Sequence, residues 1–189
     1  MSSLADIARL FDRKGACQYS GEPVSQLEHA LQTAQLAEQS GAGDALVTAS
    51  LLHDLGHLLD DRDGSVDDTP TLRGVDDMHQ YAALPLLRGL FDESVLAPIR
   101  LHVEAKRYLC HARPDYFASL TDDSKRSLVL QGGVFEADEA ARFLTLPGAH
   151  DAVRLRQWDD LAKRAGLDTA PLTHFLACAS RCALPAQCA

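Results

Sequence analysis

Two side chains of the kind that bind metals stand next to each other inside an apolar run, and this feature constrains the fold more than any other. Residues 51–57 read Leu-Leu-His-Asp-Leu-Gly-His, so His53 and Asp54 are neighbours and His57 follows one helical turn later. Adjacent residues on a helix point about 100° apart and rarely share a task on one packed face. A half-buried pair on an ordinary helix is one interpretation. A metal ion is the other, because a buried His-Asp pair needs polar partners, and His57 could face the same cavity.

The composition narrows the class of protein. A chain of 189 residues suits one domain, and a hydrophobic content of 46% is ample for one core. The net charge of −9 argues against a nucleic-acid partner, because such proteins need a basic face. No apolar run approaches the roughly 20 residues of a membrane span. The five cysteines are scattered, which indicates reduced thiols and a cytoplasmic location. Nothing in the pattern sets an oligomeric state.

Helical periodicity recurs along the chain, and no segment shows the alternation of a strand. Ser25 and Glu28 form a capping box, which predicts a helix that carries His29 in its first turns. The next helix is expected to run from Asp44, as its N-cap, to about Leu59. We therefore predict an all-α fold, a single compact helical bundle that occupies residues 1–189 as one domain.

A further helix is predicted after the pair Asp76 and Asp77. These acids would lie in its first turn and complement the helix dipole. His79 would stand at its start as a possible metal ligand, and Pro85 would kink it.

Two of the later predicted helices also carry possible ligands. Ser94 is the expected cap of a helix that continues through Leu109 and carries His102. Another helix is expected over Ala149–Ala165 and carries Asp159. The last helix should begin near Thr169.

The segment Lys14–Pro23 interrupts the helical pattern with two glycines and a proline. It carries Tyr19 and Glu22. Loops near an active site often act as lids or substrate clamps, so one interpretation of these side chains is a substrate-side loop. The other is ordinary surface decoration.

Six possible ligands are thus distributed over separate helices or helix starts. They are too many for one catalytic ion that must keep an open position, but they fit two ions bridged by Asp54. A set of nitrogen and oxygen donors without thiolates suits iron, manganese or zinc. One ion would be held by His29, His53, Asp54 and Asp159, and the other by His79, His102 and Asp54.

The order His, His-Asp, His, His, Asp on helices resembles the HD-domain superfamily, most of whose members are metal-dependent phosphohydrolases. Further segments narrow the likeness to the HD-domain di-iron oxygenases of phosphonate catabolism. The chain resembles that family over Gln18–Glu22, Gln26–His29, Leu51–His57, Gln131–Gly133 and Arg156–Asp160.

This resemblance implies a mixed-valent Fe(II)/Fe(III) pair, with O2 as co-substrate, that cleaves a carbon–phosphorus bond. The implied small-molecule substrate is a 1-hydroxy-2-aminoethylphosphonate or its trimethylammonium analogue, which would give phosphate and glycine or glycine betaine. In the family scheme the substrate binds one iron through its hydroxyl and a phosphonate oxygen. The sequence leaves the degree of N-methylation open.

Cationic and hydroxyl groups suit a phosphonate dianion. Several lie on the helical face or segment of a metal ligand, or come next in the residue order of the family that the chain resembles. They are His57, Lys106, Ser124, Ser127 and Arg156. The cationic end of the substrate would find a carboxylate in Glu22 and an aromatic face in Tyr19. Asp54, Tyr19 and His57 are the expected catalytic residues, with Tyr19 guarding the open metal position.

One position departs from the family pattern. Ser127 stands where the resemblance leads us to expect glutamine, and this leaves the exact substrate open. A metal-dependent HD phosphohydrolase acting on a nucleotide or phosphate ester is the alternative function, since a metal-activated water would use the same core. A catalytically inactive regulatory module is a third, which the intact ligand set disfavours.

Overall fold

The computed structural model describes residues 3–19, 21–59 and 69–185, and within these ranges the chain is helical. The same ranges contain no β-strand, only an isolated antiparallel bridge between Gln18 and Ser25. The predicted all-α fold is confirmed. No described helix is both long and apolar enough to span a bilayer. The helices are α1 Leu4–Lys14, α2 Gln26–Gln39, α3 Asp44–Leu52, a 3₁₀ helix Leu55–Leu59, α4 His79–Ala82, α5 Leu84–Leu87, α6 Glu93–Ala112, α7 Tyr116–Ser119, α8 Asp122–Leu130, α9 Ala137–Leu144, α10 Ala149–Leu161 and α11 Leu172–Cys182.

Helix α3 lies at the centre of the main core. Every side chain from Leu46 to Leu52 is buried, as expected of a helix that is apolar on all sides. Helices α2, α6, α10 and α11 all contact it. The C-terminal end of α3, where His53 and Asp54 follow, is therefore enclosed by the helices that carry other predicted ligands.

The predicted helix from Asp44 to about Leu59 is wrong in both its cap and its end. Gly43 is the N-cap, and α3 ends at Leu52. His53 and Asp54 lie in a turn that leads into the 3₁₀ helix. The ring of His53 explains the break, because its Nδ1 lies 2.9 Å from the Ser50 carbonyl oxygen and satisfies one of the free carbonyls at the helix end.

Close contact between two segments also shapes this turn. A Cβ atom added to Gly56 would lie 2.1 Å from the carbonyl oxygen of His79. Only a residue without a side chain allows this approach. Gly56 therefore brings the start of α4 against the 3₁₀ helix.

The kinked helix predicted after Asp76 and Asp77 is also wrong. Two four-residue helices, α4 and α5, take its place, and Pro85 lies in the first turn of α5. Proline is tolerated there because its missing N–H has no intrahelical partner. Both aspartates precede α4, whose N-cap is Met78 in the left-handed region at φ 53°. Asp77 contacts histidine rings, as described below, in addition to the backbone N–H of His79.

Several other predicted boundaries shift. The N-cap of α6 is Asp92, whose Oδ1 accepts a hydrogen bond from the backbone N–H of Ser94 at 2.9 Å, and the helix extends past Leu109 to Ala112. The four-residue helix α7 was not expected. The Ser25–Glu28 capping box of α2 is confirmed.

Helix α10 ends at Leu161 and not at Ala165, and α11 begins at Leu172 and not near Thr169. The amide of Gln32 on α2 explains the early end of α10. Its Nε2 donates to the Arg164 carbonyl at 2.8 Å, and its Oε1 accepts from the Arg164 N–H at 3.0 Å. These bonds hold the backbone after α10 against α2.

Candidate metal centre

The structure brings all six predicted ligands to one place. They come from five separate parts of the bundle, and all are buried except for one imidazole that is 11% exposed, that of His79. His29 projects from α2, His53 and Asp54 from the turn after α3, His79 from the start of α4, His102 from α6 and Asp159 from α10.

The two carboxylate oxygens of Asp54 face different pairs of imidazoles. Its Oδ2 lies 3.6 Å from His29 Nε2 and 3.4 Å from His53 Nε2. Its Oδ1 lies 3.4 Å from His79 Nε2 and 3.5 Å from His102 Nε2. Asp54 therefore stands between two groups of donor atoms, in the position that a bridging ligand requires.

Each of the four imidazoles is oriented by a hydrogen bond at Nδ1, which leaves Nε2 facing the centre. The acceptors are the carbonyl oxygens of Ala162 for His29, of Ser50 for His53 and of Ile99 for His102, and a carboxylate oxygen of Asp77 for His79, at 2.7–2.9 Å. Because these oxygens accept only, each Nδ1 carries the proton. Histidines that bind metals are oriented in this way.

The inward nitrogens crowd one another. His29 Nε2 lies 3.3 Å from His53 Nε2, and His79 Nε2 lies 3.1 Å from His102 Nε2. Two facing lone pairs at these distances repel unless a cation or proton lies between them. Burial lowers the pKa of His29, but the carboxylates of Asp159 and Asp54 outweigh it and raise the pKa to about 9. The two carboxylates thus favour positive charge at the His29 ring.

Two buried carboxylate oxygens support a metal at this centre. Asp54 Oδ2 and Asp159 Oδ1 have no hydrogen-bond partner among the residues that the structure describes. Leaving such atoms unsatisfied is costly, and metal coordination removes the cost. The donors form two sets that could each hold an ion, with nitrogen and oxygen atoms that suit iron, manganese or zinc. One set is His29, His53 and Asp159, and the other is Asp54, His79 and His102.

Asp77 joins the centre to a fifth histidine, His57, a role that was not predicted from the sequence. Its Oδ1 lies 2.8 Å from His79 Nδ1, and its Oδ2 lies 2.9 Å from His57 Nδ1. The rings of His57 and His79 stack with centroids 4.1 Å apart. Burial lowers the pKa of His57, but Asp77 and Asp54 outweigh it and raise the pKa to about 9. The Asp-x-His spacing of residues 77–79 was the signal that could have revealed Asp77.

Tyr19 covers the centre. Its ring stacks on His29 with centroids 4.0 Å apart and meets His57 edge-on at 6.4 Å. Burial, with the nearby charges of Asp54 and Asp159, raises the pKa of Tyr19 well above its usual range, so the hydroxyl keeps its proton. The predicted loop begins at Gly15, since Lys14 is the last residue of α1.

Glu22 is buried near Tyr19, and its carboxylate is already paired with another side chain. Lys163, from the segment after α10, places its Nζ 3.1 Å from Glu22 Oε1. The same Nζ lies 5.8 Å from the centroid of the Tyr19 ring. Lys163 was not predicted as a site residue, because it fell inside the predicted continuation of α10.

Lys106 is buried in the wall of the pocket, with only 2% of the residue exposed. Its Nζ donates to Ser127 Oγ at 2.7 Å. Burial, followed by the positive charge of Arg156, lowers the pKa of Lys106 to about 7. Ser124 lines the same wall, and Thr121, not Ser124, supplies the cap of α8.

Arg156 is buried, and its guanidinium contacts three side chains. Its guanidinium lies 2.7 Å from Asp159 Oδ2, bonds to Asp160, and donates from Nε to the Tyr116 hydroxyl at 3.3 Å. The guanidinium therefore orients a predicted metal ligand while it also borders the pocket. Asp160 and Tyr116 were not expected at the site.

One pocket connects these groups. The predicted substrate residues all line it, together with Asp54, His79, His102 and Asp159 from the centre. Its other polar lining residues include Thr71, Asp76, Asp77, Asp123 and Lys163. A substrate in this pocket would therefore lie beside both the donor atoms and the cationic side chains.

Comparison with known proteins gives relatives of defined activity. The chain is 39% identical, over 89% of its length and 84% of the relative, to the glycine-betaine-forming [1-hydroxy-2-(trimethylamino)ethyl]phosphonate dioxygenase of Leisingera caerulea. It is 45% identical, over 82% of its length and 75% of the relative, to the hydroxymethylphosphonate dioxygenase of Gimesia maris. It is also 30% identical, over 89% of its length and 76% of the relative, to the uncharacterized protein L432 of Acanthamoeba polyphaga mimivirus. No protein-family model matches the chain.

Proposed function

The chain belongs to the hydroxyphosphonate dioxygenases of phosphonate catabolism, and we propose that it uses O2 to cleave the carbon–phosphorus bond of a 1-hydroxyphosphonate. The candidate substrates are 1-hydroxy-2-aminoethylphosphonate, its 2-trimethylammonio analogue and hydroxymethylphosphonate. The phosphorus leaves as phosphate, and the hydroxylated carbon becomes a carboxylate. The corresponding organic products are glycine, glycine betaine and formate.

The placement of Asp54 between two pairs of imidazoles is the observation that carries this proposal. It supports two metal ions, with His29, His53 and Asp159 on one side and His79 and His102 on the other. We propose that the ions are iron, as a mixed-valent Fe(II)/Fe(III) pair. When bound, such a pair supplies the one-electron chemistry that O2 activation and attack on the C1–H bond require.

Lys106, Ser124 and Ser127 form the proposed phosphonate-binding wall. The ammonium of Lys106 and the hydroxyl of Ser124 can donate to phosphonate oxygens, and charge-assisted bonds to such oxygens are strong. The hydroxyl of Ser127 donates to the Ser124 carbonyl oxygen at 3.1 Å and would have to rotate to donate to the substrate. Lys106 is already fixed by Ser127 at 2.7 Å. The guanidinium of Arg156 adds positive potential at the pocket border while it holds Asp159 in place.

His57 is proposed to handle the proton of the substrate hydroxyl. Asp77 fixes its Nδ1, so Nε2 faces Asp54 at 4.0 Å on the pocket side. Because its pKa is raised to about 9, the ring is charged at neutral pH, so its Nε2–H can donate a hydrogen bond to the substrate hydroxyl at a defined point. It can receive the hydroxyl proton only after it has released its own. The hydroxyl would then lie between His57 and the His79 side of the centre.

Residues Gly15–Pro23 are proposed as the substrate-side loop of a single HD domain spanning residues 1–189. The stacking of Tyr19 on His29 supports this role, because the ring shields that side of the centre from water. Substrate binding would displace the Tyr19 hydroxyl from the carboxylates. Ser20 lies outside the described residues.

Oxygen dependence tests the proposal against the hydrolase alternative. Iron-loaded protein is incubated with each hydroxyphosphonate, and phosphate release is measured in air and under strict anaerobiosis. We expect release only with O2. The Asp54→Asn variant should abolish release in air, which controls for contaminating phosphatase. Equal phosphate release without O2 would show hydrolysis by a metal-activated water.

A further inference from the structure

The carboxylate and the aromatic face that suit a substrate ammonium group are both engaged by a side chain of the chain itself. Lys163 Nζ lies 3.1 Å from Glu22 Oε1 and 5.8 Å from the Tyr19 ring centroid. Glu22 is 7% exposed, and the Lys163 side chain is 12% exposed. Both line the pocket. Lys163 thus holds the position that an ammonium group of the substrate would need.

The charge of this position follows from the pair. Glu22 alone would present one negative charge to the pocket, but the ammonium of Lys163 cancels it at hydrogen-bond distance. A cationic substrate placed here would either lie close to a second cation or have to displace Lys163 from a partly buried ion pair. Both routes weaken binding, because charges that are buried away from water interact more strongly than exposed charges.

A substrate without an ammonium group meets no such penalty. Hydroxymethylphosphonate has nothing beyond C1 to place against Glu22, and the Lys163–Glu22 pair can stay intact. The negative phosphonate would then lie among the pocket cations His57, Lys106 and Arg156.

We propose that Lys163 is a specificity-determining residue, which by pairing with Glu22 selects 1-hydroxyalkylphosphonates without an ammonium group over those that carry one. This inference rests on the proposed function. It assigns to the chain a substrate preference like that stated in the name of the Gimesia maris relative and unlike that in the name of the Leisingera caerulea relative.

The test compares two substrates in the same enzyme preparation. The ratio of kcat/KM for the trimethylammonium hydroxyphosphonate to kcat/KM for hydroxymethylphosphonate is measured by phosphate release in air. We expect a ratio below one in the wild type and at least a tenfold rise in Lys163→Gln, which removes the competing cation but keeps a hydrogen-bond donor. Lys163→Arg should keep the ratio within about twofold.

A matched control comes from the neighbouring residue. Arg164 has an exposed side chain and holds α2 through its backbone, so Arg164→Gln removes the same charge outside the pocket and should leave the ratio unchanged. Glu22→Gln gives a second test, since it leaves Lys163 without its carboxylate partner and should lower the ratio further. It replaces Lys163→Gln if that variant does not fold.

The two failures are distinguishable. If the wild type releases phosphate from neither substrate in the presence of O2, the proposed function fails. If the wild type turns over a hydroxyphosphonate but the ratio is above one, or Lys163→Gln leaves it unchanged, the role of Lys163 is wrong and the proposed function stands. If Glu22→Gln is the variant measured and it does not lower the ratio, that role is also wrong.

Discussion

His79 Nδ1 lies 2.8 Å from Asp77 Oδ1, and this contact turns the Nε2 of the ring toward Asp54. The other oxygen of Asp77 lies 2.9 Å from His57 Nδ1. One carboxylate therefore orients both a proposed metal ligand and the proposed proton-handling histidine. Outer carboxylates of this kind commonly tune metal affinity.

Replacing Asp77 by Ala should weaken metal binding at the His79–His102 position. The expected loss of affinity is about 10- to 100-fold, because the His79 ring loses its fixed tautomer and orientation. Competition with a chelator measures the affinity of each position. Asp76→Ala is the matched control, since Asp76 bonds to the backbone of Met78 and not to a histidine. Equal metal affinities in Asp77→Ala and wild type would show that Asp77 does not support metal binding by His79.

Gly56→Ala should push His79 away from the rest of the centre. The new Cβ would meet the backbone of His79 at 2.1 Å, and backbone cannot rotate away. We expect a loss of about 1–3 kcal/mol in the free energy of unfolding, measured with urea, together with a loss of metal from the His79 side. Gly89→Ala is the control, because no atom of the described residues lies within 4 Å of its added Cβ. A fully stable Gly56→Ala protein with two bound ions would contradict the role given to this contact.

The pH dependence of kcat/KM should show the charge of Lys106. Burial and Arg156 lower the pKa of Lys106 to about 7, so the amine is charged and binds phosphonate below that pH and loses its charge above it. The value of kcat/KM reports groups of the free enzyme and substrate, and it should fall as pH rises through about 7. Lys106→Arg stays charged, so its kcat/KM should not fall as pH rises through about 7. Any change that remains would come from titration of the substrate. An unchanged profile in Lys106→Arg would assign the titration to another group.

Tyr19→Phe should uncouple O2 consumption from turnover. The ring would still stack on His29, but the hydroxyl near Asp54 and Asp159 would be lost. We expect O2 uptake without substrate to rise several-fold, measured with an oxygen electrode on iron-loaded protein. Tyr108→Phe, which alters a ring packed on Phe143 outside the pocket, is the control. The same uptake in both variants would argue against a guarding role for Tyr19.

The positions of the ligands along the chain predicted a shared centre, because each ligand lies in or next to a helix with its own apolar pattern. His29, His102 and Asp159 each sit in a predicted helix, and burial of the apolar faces brings them together. The turn at His53 and Asp54 was not predictable in the same way. It depends on a ring bond to Ser50 and on the contact of Gly56 with His79, neither of which has a periodic signal.

Asp77 and Lys163 escaped the sequence analysis for a related reason. Asp77 acts through a histidine 20 residues earlier, and this partner is set by the packing of α4 on the 3₁₀ helix. Lys163 reaches Glu22 only because α10 ends at Leu161, where Gln32 from α2 holds the following backbone. Both contacts join segments far apart in sequence, so they depend on the tertiary fold.

Anomalous diffraction at the iron edge, from crystals of iron-loaded protein, tests the central claim most directly. We expect two peaks in each chain on opposite sides of the Asp54 carboxylate. One should lie among His29, His53 and Asp159, and the other beside His79 and His102. A single peak, with His79 or His102 turned away from it, would contradict a centre of two ions joined through Asp54.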